Sequence, residues 1–132
     1  MLLVDTNVIV DVLQDDPQWA EWSIRQLRSQ ALIHGLVINP VIYAETSLSF
    51  ATVEALDVVL ARMELAMYEI PGSALFLAGK AFAQYRERGG RKTQILPDFF
   101  IGGHAAVLGW PLLTRDAGRY KTYFPTLEVL AP

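Results

Sequence analysis

Four carboxylates stand at or near the predicted start or end of a secondary-structure element: Asp5, Glu45, Asp98 and Asp116. Asp5 closes the apolar run Leu2-Leu3-Val4, and Asp116 closely follows Leu112-Leu113. Glu45 and Asp98 each lie near the start of a helical stretch that follows a proline, Pro40 and Pro97. Strand ends in an open parallel sheet converge on one crevice, where ligands bind. Acids gathered there repel one another unless a cation sits between them. An all-oxygen set of this kind suits Mg²⁺ or Mn²⁺. In outline this is a centre for metal-dependent phosphodiester cleavage.

Each acid also has a plainer reading. In Asp5-Thr6-Asn7, Thr6 or Asn7 can cap the next helix. An acid closing an apolar strand is costly unless paired or liganded, so Asp5 resists that account. Glu45 sits between Val41 and Leu48 at helical spacing, which predicts a buried or cleft-lining face rather than a wet one. Asp98 can simply complement its helix dipole. It shares a side with Ile101, Gly102 and Ala105, however, and no cation partner is evident. Gly102 and Gly103 cost helix stability, so they predict close packing, expected here against the sheet. In Thr114-Arg115-Asp116, alternation places Thr114 and Asp116 on one side, with Thr114 suited to orienting a water. Asp116 alone also fits a surface turn.

Other chemistries find little support. His34 and His104 are the only histidines, neither at metal-ligand spacing, and both read as structural. There is no phosphate-binding glycine loop followed by Lys-Ser/Thr, and no nucleophile elbow. A phosphatase of the haloacid dehalogenase type needs a second Asp where Asn7 stands, and a receiver domain needs a lysine near its phospho-acceptor. Trp19 and Trp22 read as core or groove residues, with partner binding as the sharper alternative.

The elements that must hold these residues alternate. Strands are predicted at Leu2–Asp5, Leu36–Ile38, Met67–Ile70, Leu112–Thr114 and Leu127–Leu130. Helices are predicted from Thr6 to about Gln14, from Asp16-Pro17 to about Ala31, and over Val41–Ser49 and Thr52–Met63. Two more are predicted over Ser73–Glu87 and Pro97–Gly109. Arg88–Leu96 reads as a polar, basic loop. This alternation implies an α/β fold with a parallel sheet covered on both faces. With no linker or repeat, residues 1–132 are expected to form one domain.

Composition agrees with a folded, intracellular protein. The chain is 52% hydrophobic and 19% charged, too apolar to remain disordered. It has no cysteine, which excludes disulfides and thiolate metal sites and fits a reducing cytoplasm. Only three residues separate Met1 from Asp5, so no signal peptide is expected, and no apolar run is long enough to span a bilayer. The net charge of −3 is unevenly spread. Residues 1–79 carry three basic and ten acidic side chains, whereas residues 80–132 carry eight basic and four acidic ones. That second part offers a phosphate-binding surface or an ordinary solvated face.

Taken together, Asp5-Thr6-Asn7, Tyr43-Ala44-Glu45, Leu96-Pro97-Asp98 and Leu112-Leu113-Thr114-Arg115-Asp116 form a pattern. It resembles the PIN-domain ribonucleases, in particular VapC-type toxins of toxin–antitoxin pairs, over nearly the full chain. The resemblance implies a three-layer α/β/α fold and a Mg²⁺- or Mn²⁺-dependent endoribonuclease, leaving a 5′-phosphate and a 3′-hydroxyl. It makes Asp5, Glu45, Asp98 and Asp116 the catalytic, metal-binding acids, with Thr6 and Thr114 as supporting hydroxyls. It further implies a homodimer silenced by an antitoxin protein. Gly103 departs from the pattern, where an alanine-like residue is expected. Arg86, Arg88, Arg91 and Lys92 are the candidates for RNA phosphates, with Arg115 and Arg119 nearer the cleft. The rival reading is a non-catalytic PIN-like module that grips RNA or protein.

Overall fold

The structure is a computed structural model that describes residues 1–132. Five short strands, β1 (Leu2–Val4), β2 (Leu36–Ile38), β3 (Ala66–Met67), β4 (Leu112–Leu113) and β5 (Val129–Leu130), form one sheet. Their order is β3-β2-β1-β4-β5 and every pairing is parallel. Strands β1, β2 and β4 are buried throughout, as expected of central strands with both faces covered. Strands β3 and β5 are the exposed and half-buried edges. Seven helices complete a three-layer α/β/α fold: α1 (Thr6–Leu13), α2 (Ala20–Ala31), α3 (Pro40–Ser47), α4 (Val53–Arg62), α5 (Gly72–Glu87), α6 (Pro97–Leu108) and α7 (Gly118–Tyr123). No helix is long and apolar enough to cross a membrane.

This strand order sets the site. The chain leaves β1 towards β2 and β3 on one side and returns to β4 and β5 on the other. The crevice beyond the carboxyl ends of β1 and β4 is therefore the switch point, where such sheets bind ligands. Asp5 follows β1, and Thr114–Asp116 follow β4.

Local chemistry explains most element boundaries. Asn39 caps α3 by accepting the Ile42 N–H at 3.0 Å, and Pro40 opens that helix. Thr52 caps α4 through the Ala55 N–H. Gly109 ends α6 in the left-handed conformation, φ 67°, which glycine adopts at little cost. The second helix begins later than predicted. Asp16 accepts the N–H groups of Gln18 and Trp19, closing a turn before α2 starts at Ala20. The third strand lies earlier than predicted, at Ala66–Met67, and is shorter. Helix α7 was not predicted at all.

The glycines of α6 pack differently from expectation. A Cβ on Gly103 would lie 2.7 Å from the Ala74 carbonyl oxygen, and one on Gly102 would lie 2.4 Å from the Phe124 ring. Gly103 thus meets α5 rather than the sheet, against the buried alanines Ala74 and Ala78. Gly103→Ala should gain up to about 1 kcal/mol of helix propensity yet lose more by forcing two backbones apart. We expect a net fall in the urea midpoint; a variant more stable than the parent would show that α5 yields freely. The alanine-like residue expected at this position has no room here.

Candidate functional site

Asp5, Thr6, Asn7, Glu45, Asp98, Arg115, Asp116, Arg119 and Tyr120 share one open cleft of about 340 Å³. Four elements supply its acids. Asp5 is the N-cap of α1, Glu45 lies on α3, Asp98 opens α6, and Asp116 follows β4. They differ in exposure: Asp5 is buried, Glu45 and Asp98 are half-buried, and Asp116 is exposed. The basic residues Arg86, Arg88, Arg91 and Lys92 do not line the cleft; they lie at the end of α5 and in the loop beyond.

Asp5 is the hub. One carboxylate oxygen, Oδ1, accepts the Thr6 backbone N–H at 2.7 Å. The other, Oδ2, accepts the Thr114 hydroxyl at 2.8 Å and the Tyr120 hydroxyl at 2.9 Å. Burial pushes its pKa up to about 6, against the lowering effect of those hydroxyl bonds, and the nearby Asp98 charge raises it further. Burial also raises the Tyr120 phenol well above its usual range, reinforced by Asp5 and Asp98. That phenol remains a donor. Glu45 is fastened to the same centre, because the Thr6 hydroxyl donates to its Oε1 at 2.7 Å.

Several local roles differ from the predictions. Asp5 itself caps α1, which frees Thr6 for Glu45. Asn7 bridges to the β4 loop instead: its Nδ2 donates to Thr114 Oγ1 at 3.3 Å, and its Oδ1 accepts the Arg115 N–H at 3.1 Å. Thr114 is fully buried beneath the cleft, so its hydroxyl orients Asp5 rather than a water. Leu48, expected to bury the Glu45 face, is 89% exposed. Asp98 has a cation partner after all, Arg119 Nη1 at 3.1 Å.

Arg115, at the edge of the cleft, is engaged by Asp11. Its Nε and Nη2 grip both oxygens of Asp11 at 2.9 and 3.0 Å, and its guanidinium rests 5.6 Å from the Trp19 ring centre. Asp11 is 2% exposed and also accepts the Ser23 hydroxyl. The Asp11 partnership raises the Arg115 pKa further. Trp19 meets Trp22 edge-to-face at 6.4 Å, so the tryptophans belong to this anchor.

Arg119 sits over the rings of Tyr85 and Phe99, at 5.6 and 5.8 Å. Tyr85 in turn meets Tyr123, over which Arg88 lies at 5.3 Å. A run of aromatic rings thus joins the basic loop to the mouth of the cleft. His104 is remote from this chemistry: it is buried, accepts from Asn39 Nδ2 at 3.2 Å, lies 5.2 Å from Trp110, and has its pKa lowered by burial.

The donor set fits a hard divalent cation in its chemistry. It offers only oxygens, one carboxyl is held in a buried and repulsive setting, and both cleft arginines are already paired. No three acids converge closely enough to cage an ion with protein atoms alone. Mg²⁺ keeps several waters and takes one or two carboxylates directly, so an open arrangement suits it better than Ca²⁺.

The residues overlooked in the sequence are Tyr120 and Asp11. For Tyr120 a signal existed: Tyr120, Tyr123 and Phe124 recur at helical spacing just after Asp116.

A family model described as "PIN domain" matches residues 2–125. Several solved structures are similar in fold. VapBC2 from Rickettsia felis, bound to a DNA fragment from its promoter, is 19% identical over 99% of this chain and 98% of that one, with a TM-score of 0.75. A toxin–antitoxin complex from Klebsiella pneumoniae is 18% identical over 98% and 96%, with a TM-score of 0.66. The Sarcin-Ricin loop cleaving toxin VapC20 of Mycobacterium tuberculosis is 12% identical over 97% and 99%, with a TM-score of 0.63. No curated protein sequence matches the chain.

Proposed function

The chain belongs to the PIN domain family, and from that premise we propose that it is a metal-dependent endoribonuclease. It acts as the toxin of a toxin–antitoxin pair, as one PIN domain over its 132 residues. The observation that carries this reading is the convergence of Asp5, Glu45, Asp98 and Asp116 on the switch-point cleft, with Asp5 held against the cost of burial. Those four acids would hold the ion, Mg²⁺ or Mn²⁺, some directly and the others through its waters. A divalent ion held there would supply a water of lowered pKa and polarisation of the phosphoryl oxygen.

The chain's own residues supply the rest. Thr6 ties Glu45 to the Asp5 backbone turn, and Thr114 fixes Asp5 from below. Arg119, on its aromatic seat, is the cation at the mouth that can turn from Asp98 to a phosphate. Arg86, Arg88, Arg91 and Lys92 extend that positive track for RNA outside the cleft. Similar folds solved as toxin–antitoxin complexes support a cognate antitoxin protein as partner, and a homodimer in the cytoplasm completes the proposal.

The test is cleavage of total cellular RNA by antitoxin-free protein with Mg²⁺ or Mn²⁺, against EDTA and Asp98→Asn. Discrete 5′-phosphorylated fragments seen only with metal and intact Asp98 are expected. Neutralising Arg86, Arg88, Arg91 and Lys92 should weaken RNA binding and flatten its salt dependence. Protein that binds metal and RNA but cuts nothing would be the non-catalytic module instead.

A further inference from the structure

Tyr120 brings a hydroxyl into a place where packing alone does not require one. Its side chain is 2% exposed, and a phenylalanine would fill the same space without burying an oxygen. A buried hydroxyl needs partners, and those within reach are site acids: Asp5 Oδ2 at 2.9 Å and Asp98 Oδ1 at 3.5 Å.

The consequence lies in the lone pairs of Asp5. A carboxylate offers about four acceptor sites, two on each oxygen. On Oδ2 both are filled, by Thr114 and Tyr120. On Oδ1 one is taken by the Thr6 N–H. Asp5 therefore has a single free acceptor position, on Oδ1. We propose that Tyr120 is a positioning residue that makes Asp5 present one oxygen to a bound cation, and so biases the site towards Mg²⁺ and Mn²⁺ over Ca²⁺. The inference rests on the proposed metal-dependent function and goes beyond it by assigning ion selectivity to a residue that need not touch the ion.

The physical basis is the difference between the ions. Mg²⁺ demands near-octahedral geometry at short distance, which a single carboxylate oxygen serves well. Ca²⁺ accepts two oxygens of one carboxylate and a looser, larger sphere. Removing the Tyr120 hydroxyl frees half of Oδ2, lets the carboxylate turn, and opens the second oxygen. Partners that orient a ligand from behind usually contribute 10–100-fold in metal affinity.

The experiment measures Mn²⁺ and Ca²⁺ dissociation constants by calorimetry for the parent, Tyr120→Phe and Thr114→Val, with metal-free urea unfolding as the check on folding. The parent should prefer Mn²⁺. Tyr120→Phe should weaken Mn²⁺ binding about 10-fold while leaving Ca²⁺ binding equal or tighter, so the preference narrows. Thr114→Val, which strips the other donor from Oδ2, should shift the ratio in the same direction. If the parent prefers Mn²⁺ and both variants keep that ratio, Tyr120 is a packing residue, the inference is overturned and the functional reading stands. A parent that binds no divalent ion would overturn the functional reading, and this inference with it.

Discussion

Replacing Asp5 with Asn should lower metal-dependent RNA cleavage about 10³-fold, the scale of several kcal/mol of lost transition-state stabilisation, yet make the metal-free protein more stable at neutral pH. The second half of this result follows from the sign of the pKa shift. The Asp5 carboxyl titrates at about 6 in the folded chain against 3.8 as its ordinary value. Between those values the folded state holds a proton that the unfolded state has released, so stability falls as pH rises through that window. Above about pH 7 the ionised, buried carboxylate costs the fold on the order of 3 kcal/mol relative to its protonated form.

Asparagine removes the charge and keeps the shape. The donors around it can readjust. Thr114 Oγ1 already lies 3.3 Å from the Asp116 carbonyl oxygen, and the Tyr120 hydroxyl lies 3.5 Å from Asp98 Oδ1. Both hydroxyls therefore have somewhere to donate while the amide N–H₂ donates to one of them. In EDTA, urea unfolding at pH 8 should show the variant more stable than the parent, and the difference should vanish near pH 4. A divalent ion should raise the parent's midpoint and leave the variant's unmoved. An Asn variant less stable than the parent at pH 8 would mean that the hydrogen bonds to Asp5 outweigh its burial. Retained cleavage would remove Asp5 from the site.

What local pattern reveals about this chain is what short-range chemistry decides. The continuous apolar runs Leu2–Val4 and Leu36–Ile38 can hardly be anything but central strands of a covered parallel sheet. Asn39-Pro40 and Leu96-Pro97-Asp98 announce helix starts, and Asp5 at a strand end announces the crevice. Asp5 and Asp98 could be nominated because each sits at an element boundary that such signals mark, and Glu45 because Pro40 marks the start of the short helix that carries it.

Helix α7 escaped because it is six residues long, opens on Gly118 and has no side-chain cap. Its existence depends on burying Tyr120 beneath the cleft, a tertiary fact. The partner of Asp98 escaped for the same reason, since Arg119 arrives on that unforeseen helix. Asp11 is buried on α1, where nothing local marks it out. Its partner stands 104 residues later, and no periodicity connects them.

That distant pair carries the largest stability effect we expect, and it decides what Arg115 is for. Arg115→Ala should destabilise the fold by about 3 kcal/mol, the low end for removing one partner of a buried pair because the arginine is partly exposed. It leaves Asp11, 2% exposed, with the Ser23 hydroxyl as its one remaining side-chain donor. The loss also reaches the cleft. Arg115 anchors the Thr114–Asp116 turn to α1 through two side-chain bonds and a backbone bond to Asn7. Replacing both partners by apolar residues, Asp11→Leu with Arg115→Met, should recover most of the stability, since neither charge is then left buried alone.

The same variants separate this role from RNA binding. A phosphate-contacting arginine, when removed, reduces the slope of log affinity against log salt by nearly one. An arginine spent on Asp11 leaves that slope unchanged. Urea midpoints of the single and double variants, with binding of a non-cleavable single-stranded RNA across a salt series, measure both at once. A flattened slope with unchanged stability would return Arg115 to the RNA track beside Arg88 and Lys92. A large stability loss, recovered in the double variant at constant slope, fixes it as the tie that holds Asp116 and the floor of Asp5 in place before any substrate arrives.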